Sequence, residues 1–342
     1  MSIWYAGTDI DYSTTGDGTS EGTRTNLAHA MQTLAAAGDT IYFKRDSTTP
    51  TWEYDSDGNG SLPLLQGLAI IGYSGTVGDE GMPEIVDLNG NTNPLFTVTV
   101  ASAMIANLKV YNSYRCIHAT AGTAQGCIFD NIHSENAGEN DFWWYGPTTS
   151  DGTTFTRCTS IGSTLASFLN NSRCTRFINC LSISGGGDGF YESDSDYGGI
   201  MFNCVSQEST GYKGFRLKGP SFLVNCVSNR SIEAAFSTLI GGYGAIFLNC
   251  VAANSGTYAW EAVVPIFNMA IRSHCAVYNN TNGDVNDSTM SFIYDLSTVS
   301  GEDPLFNNEN PGNWQLLDLR VGAGSPLTNK GAKWADGFSS MN

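Results

Sequence analysis

Positive charge is scarce in this chain: 16 Lys and Arg face 33 Asp and Glu, a formal net charge of −17. Phosphate binding needs a basic face, so nucleic acid is not an expected partner. The acidity reads instead as a guard against association at open sheet ends. Histidine is rarer still, with four residues. A Ser-His triad is therefore not expected, and neither a Gly-x-Ser-x-Gly elbow nor a phosphate loop occurs. No apolar run approaches the about 18 residues of a membrane span, so no membrane partner is expected. The start, Met1-Ser2-Ile3-Trp4-Tyr5, lacks the basic and apolar regions of a secretory signal. Sustained helical periodicity is missing from Leu64 to Val299, where each apolar run is soon broken by Gly, Ser, Asn or Thr. Nine cysteines are present. The absence of Cys-x-x-Cys speaks against zinc, and the odd count speaks against a disulfide framework.

What the chain has is a repeat. The tetrads Phe177-Ile178-Asn179-Cys180, Met201-Phe202-Asn203-Cys204, Leu223-Val224-Asn225-Cys226 and Phe247-Leu248-Asn249-Cys250 place their cysteines 24, 22 and 24 residues apart. Leu108, Ile132 and Cys158 extend the column backward, and Cys275 extends it forward. A second column runs through Ile117, Phe142, Phe168, Phe190, Phe215, Phe236 and Trp260. The leg from the first column to the second is nearly constant in length, while the return leg varies. That is the pattern of a solenoid with loops on one side.

Short strands at this period predict an all-β fold, a right-handed single-stranded parallel β-helix rising roughly 4.8 Å per coil. The Leu framework of leucine-rich repeats is missing. The Asn before each Cys suits a left-handed turn and can pass side-chain hydrogen bonds from coil to coil. The cysteines beside it read as free thiols in a core. The Asn-x-Ser/Thr sites at Asn170, Asn229, Asn279 and Asn286 read as chance matches in a chain this rich in Ser, Thr and Asn.

The sequence divides into an N-terminal cap over 1–63, the β-helix over 64–300 and a closing segment over 301–342. Within the cap, 26–37 predicts an amphipathic helix with Leu27, Met31 and Leu34 on its apolar face, Thr25 as its cap and Gly38 at its end. It would cover the open end of the stack.

At both ends the chain resembles the right-handed parallel β-helix polysaccharide lyases. The Gly-Thr turns, short helix and Ala37-Gly38-Asp39-Thr40-Ile41 are similar to the N-terminal part of that group. Asp303-Pro304-Leu305-Phe306 and Gly324-Ser325-Pro326 are similar to its C-terminal part. Gly187-Asp188-Gly189-Phe190 and Lys213-Gly214-Phe215-Arg216-Leu217-Lys218-Gly219 resemble coils of pectate-lyase-like members. Phage tailspikes and other virion proteins share the solenoid, so fold alone leaves function open.

If the Phe column faces inward, alternation turns its +1 and +3 neighbours outward. His118, Trp143, Tyr191 and Arg216 fall in the +1 column, and Tyr145, Asn171 and Lys218 fall in the +3 column. Aromatic rings pack on sugar faces, and nearby cations pair with uronate or sulfate groups. The expected substrate-binding residues are therefore Trp143, Tyr145, Tyr191, His118 and Asn171, and the expected partner is an acidic polysaccharide. The resemblance further implies a lyase in which Lys218 is the base and Arg216 the carboxylate clamp, with Asp188 beside them. Asp188, Glu192, Asp194 and Asp196 would then supply oxygens to Ca²⁺. A hydrolase would instead need two carboxylates about 5–9.5 Å apart, for which Asp141 and Asp188 are the candidates.

Two functions thus stand side by side: a calcium-dependent lyase or depolymerase, and a non-catalytic phage virion protein of the tail or capsid surface. The expected location is a virion surface or the extracellular space. Viral β-helices often form trimers, and Leu239, Val263 and Trp260 are candidates for a homotrimer contact.

Overall fold

The computed structural model describes residues 1–10, 16–120, 123–146, 152–193, 198–239, 244–262, 270–286, 292–296, 299–301, 306–308 and 318–321. The fold is a nearly all-β parallel solenoid of about nine turns. It divides into two compact units, Met1–Arg176 and Phe177–Asn342.

In the first unit, parallel pairing begins well before residue 64: Ile3–Gly7 pairs with Thr40–Lys44, which pairs with Ala69–Tyr73. The second column extends upward through Leu62 and Phe96 to Ile117, Phe142 and Phe168, all in register and all buried. Phe142 and Phe168 stack with centroids 4.8 Å apart and planes 6° from parallel. The expected helix is shorter than 26–37. Leu27–His29 is α-helical, Ala30–Leu34 widens into a π-helical turn, and Ala35 is extended. Asn26, not Thr25, caps it by accepting from the His29 N–H at 2.8 Å. The Thr25 backbone is already committed to the strand beside it, donating to Tyr5 O and accepting from Gly7 N. Leu27 and Met31 are buried, and the helical segment packs on Ile3–Gly7 and Leu62–Leu64.

The second unit repeats one coil chemistry. Phe190, Phe215, Phe236 and Trp260 stack inward at 4.9, 5.1 and 5.4 Å. Asn179, Asn203, Asn225 and Asn249 all have φ of 53–55°, the left-handed region. Each later Asn donates its side-chain N–H to the previous Oδ1, at 3.0, 3.0 and 3.1 Å. Cys204, Cys226, Cys250 and Cys275 are buried free thiols. Each contacts a carbonyl two residues back and another in the previous coil, as Cys204 does with Phe202 and Phe177. Burial pushes the Cys204, Cys250 and Cys275 thiols well up.

A buried serine column explains the glycines before Phe190 and Phe215. A Cβ on Gly189 would lie 2.2 Å from Ser206 Oγ, and one on Gly214 would lie 2.0 Å from Ser228 Oγ. One coil further, Ala252 replaces the serine, and the residue before Phe236 is Ala235. Two of the four glycosylation-like sites are closed by burial, Asn170 and Asn229. Leu239 and Trp260 are also buried, so this expected contact patch is not an open surface, and Val263 lies outside the described residues. The C-terminal strands Phe306–Asn308 and Asp318–Val321 pair antiparallel.

Candidate functional site

In the second unit the strands Phe190–Glu192, Phe215–Leu217, Phe236–Thr238 and Tyr258–Ala262 lie in parallel register. Their inward aromatics turn Tyr191, Arg216, Ser237 and Glu261 to the other face. The Arg216 guanidinium lies over the Tyr191 ring, 4.9 Å from its centroid. Its Nη1 is 3.4 Å from Asp188 Oδ2. Asp188 is 4% exposed and also accepts from the Lys213 backbone N–H at 3.0 Å. Burial raises the Asp188 pKa, and Arg216 only partly opposes this. Lys218 Nζ donates to the Ser193 carbonyl at 2.7 Å. Arg216 Nε and the Ser237 hydroxyl, neighbours in register, make no hydrogen bond.

Glu192 is not where a surface calcium ligand would be. The alternation that sends Tyr191 outward sends Glu192 inward, where it is 1% exposed. Its Oε1 meets the Gly199 N–H at 2.5 Å, and its Oε2 meets the Ser221 hydroxyl. Burial pushes its pKa up to about 7, against hydrogen bonds from Ser221, Gly199, Gly219 and Lys218. With its oxygens turned to protein donors, Glu192 does not fit a calcium shell. Asp194 and Asp196 lie outside the described residues. Among the described residues no three His, Cys, Asp or Glu side chains come together as a metal site.

The first unit carries a separate aromatic patch. His118 and Trp143 are adjacent in register, with ring centroids 5.0 Å apart. The Arg115 guanidinium sits 3.8 Å from the Trp143 centroid and 4.7 Å from that of Tyr114, and it pairs with Glu139. One face of Trp143 is thus taken by Arg115. Burial, with Arg115 adding to it, lowers the His118 pKa to about 4, so the ring is neutral at pH 7. Tyr145 is 48% exposed. Asn171 is half-buried, its N–H on the Trp144 carbonyl and its Oδ1 unbonded. Asp141, the hydrolase candidate, is wholly buried and held by the Ser134 and Ser160 hydroxyls. A carboxyl so enclosed cannot reach a glycosidic bond.

Sequence reasoning missed the roles of Arg115, Glu139, Lys213 and Glu233. Lys213 is nearly buried and bridges Glu233 and, at 3.2 Å, Glu261. A signal was available. Arg115, Asp188 and Lys213 each lie two residues before a column residue, and Glu139 and Glu233 lie three before.

These features define a parallel β-helix. No protein-family model matches the sequence, and no curated protein matches it. Solved structures do. Pectate lyase Pel9A aligns over 97% of this chain and 92% of its own, with a TM-score of 0.73 at 14% identity. A rhamnogalacturonan lyase aligns over 87% of each chain, with a TM-score of 0.64 at 12% identity. An alginate lyase from Paenibacillus sp. str. FPU-7 aligns over 87% of this chain and 99% of its own, with a TM-score of 0.50 at 12% identity. At these identities the likeness is one of fold.

Proposed function

We propose that this chain recognises an acidic polysaccharide on the outward face of its second unit and cleaves it by β-elimination. The observation that carries this reading is the Arg216 guanidinium laid on Tyr191, two residues before Lys218 on the same strand edge. It is supported by the similarity in fold to enzymes named for pectate, rhamnogalacturonan and alginate. Tyr191 holds the guanidinium flat, and Arg216 pairs with the uronate carboxylate. Lys218 takes the proton on the carbon beside that carboxylate. The C–H electron pair becomes the ring double bond, the glycosidic C–O bond breaks, and the leaving oxygen takes a proton from water.

The test is ultraviolet absorbance of the unsaturated uronate on a panel of acidic polysaccharides. Wild type is expected to generate it, and Lys218→Ala to lose about a hundredfold or more of the rate with an unchanged melting temperature. Full activity in Lys218→Ala would overturn the assignment of the base. A second reading is favoured by the internal partners that Lys218 and Arg216 already have, Ser193 and Asp188: a non-catalytic glycan-binding protein, as on a virion surface. Binding with flat absorbance on every polymer would select it.

A further inference from the structure

The first unit leaves one strand edge open. Three of its strands begin their stacks: Ile3–Gly7, Thr51–Tyr54 and Leu62–Leu64, each paired with a later strand on one side. The other side of Ile3–Gly7 is taken by the segment 18–25. Tyr5 N–H donates to Gly18 O, Gly7 N–H to Thr25 O, and Thr25 N–H to Tyr5 O. Leu62–Leu64 carries the helical segment Ala30–Leu34. Thr51–Tyr54 has no such cover among the described residues.

The backbone of Thr51–Tyr54 divides by alternation. The Pro50 and Tyr54 carbonyls accept from the Glu84 and Leu88 N–H groups, so the groups of Thr51 and Glu53 point the other way. At the start of that free side the Thr49 carbonyl accepts from the Thr8 hydroxyl at 2.5 Å. Further along, the N–H and C=O groups of Thr51 and Glu53 have no partner among the described residues. A cavity of about 500 Å³ lies against them. Buried Trp52 and Tyr54 line it from one face of the strand, and Thr51 and exposed Glu53 line it from the other. A cavity bounded from both faces of one strand lies on its edge, in the row where another strand would run. Trp52 lines it at 2% exposure, and its Nε1–H has no acceptor.

We propose that this edge is a docking site for an extended basic peptide of another protein, which adds a strand beside Thr51–Tyr54. Free N–H and C=O groups recurring about 6.6 Å apart are matched by a second backbone. Charge selects the side chains. Asp9, Glu53 and Asp55 line the cavity. Asp9 is paired with Arg24, while Glu53 and Asp55 have no cation among the described residues. Acids on a free edge repel acidic strands, including those of a second copy of a chain with net charge −17. The same acids attract lysine and arginine. Alternation puts the basic side chains of the added strand beside Glu53 and its apolar ones beside Trp52 and Tyr54.

The probe is an acetylated, amidated hexapeptide of alternating lysine and valine, added in excess to the full chain. Hydrogen exchange is read at the Thr51 and Glu53 amides. Both should exchange freely in the protein alone and gain tenfold or more protection with the peptide. Glu53→Lys changes only an exposed side chain and should weaken the peptide about tenfold. Glu53→Pro removes one edge N–H without touching the bonds to Glu84–Asp87, and should leave the Thr51 amide unprotected. A glutamate–valine hexapeptide should protect neither amide. The proposal is overturned if the basic peptide gives wild type no protection, if the acidic peptide protects equally, or if Glu53→Lys binds undiminished. Protection that rises with protein concentration alone would also overturn it, by making a second copy the occupant.

Discussion

At the scale of single residues, Gly214 shows how far one side chain is dictated by another in the next coil. The Gly-Phe pairs at 189–190 and 214–215 resemble motifs of a catalytic family, but their glycines are explained by packing. Ser206 and Ser228 stand where a Cβ would go. Gly214→Ala should therefore destabilise the protein by about 1–3 kcal/mol, as overpacking does. Adding Ser228→Ala removes the closest clash, with Oγ, but leaves the Ala235 carbonyl and the residue-228 Cβ each 2.8 Å away, so it should recover only part of that loss. A double-mutant cycle in urea measures the coupling, and strict additivity would refute this account. Glu192 teaches a related lesson. Its acidic character drew it into a calcium set, although counting two residues from inward-facing Phe190 already turns it inward.

At the scale of the element, the columns were legible because parallel coils place equal residues over one another. Stacked Phe, Asn and Cys recur at a spacing that the backbone imposes. The positions just before the Phe column were not legible in the same way. They close the leg of nearly constant length at a fixed offset, but the residue type there changes from coil to coil (Arg115, Asn140, Ala166, Asp188, Lys213), so no repeated letter marks them. The helix was overextended because Ala-rich sequence favours helix, while the widened turn at Ala30–Leu34 ends it early. The Asn column permits a direct test. Asn203 has φ of 53° and two side-chain partners, Asn179 and Asn225. Asn203→Gly loses the partners but keeps the conformation, whereas Asn203→Ala loses both. The alanine variant should be the less stable by about 1 kcal/mol, read from denaturation midpoints. Equal stability would mean that the left-handed turn costs alanine nothing here.

At the scale of the whole molecule, buried acids set the response to pH. Asp141 and Glu192 both have pKa values raised to about 7, chiefly by burial. The stability that their neutral forms contribute is fully present below their unfolded values of 3.8 and 4.5. It is lost as pH rises to about 7. Asp39 runs the other way. Hydrogen bonds from Ser2, Ala36 and Trp4 hold it at about 2, so its contribution is lost as pH falls from the usual carboxylate range. The net charge of −17 adds self-repulsion at neutral pH. Thermal unfolding should therefore show greatest stability in mildly acidic buffer, and a maximum at alkaline pH would contradict this balance. Asp141→Asn and Glu192→Gln should each flatten the decline towards neutrality.

The thiol row has a further consequence. Eight cysteines are buried and one, Cys174, is exposed. In the native state an alkylating reagent meets a single ready nucleophile. Each coil that loosens uncovers another at its own place in the chain. The protein thus carries its own map of opening, and mass spectrometry of labelled peptides would report which coil yields first without any engineered probe.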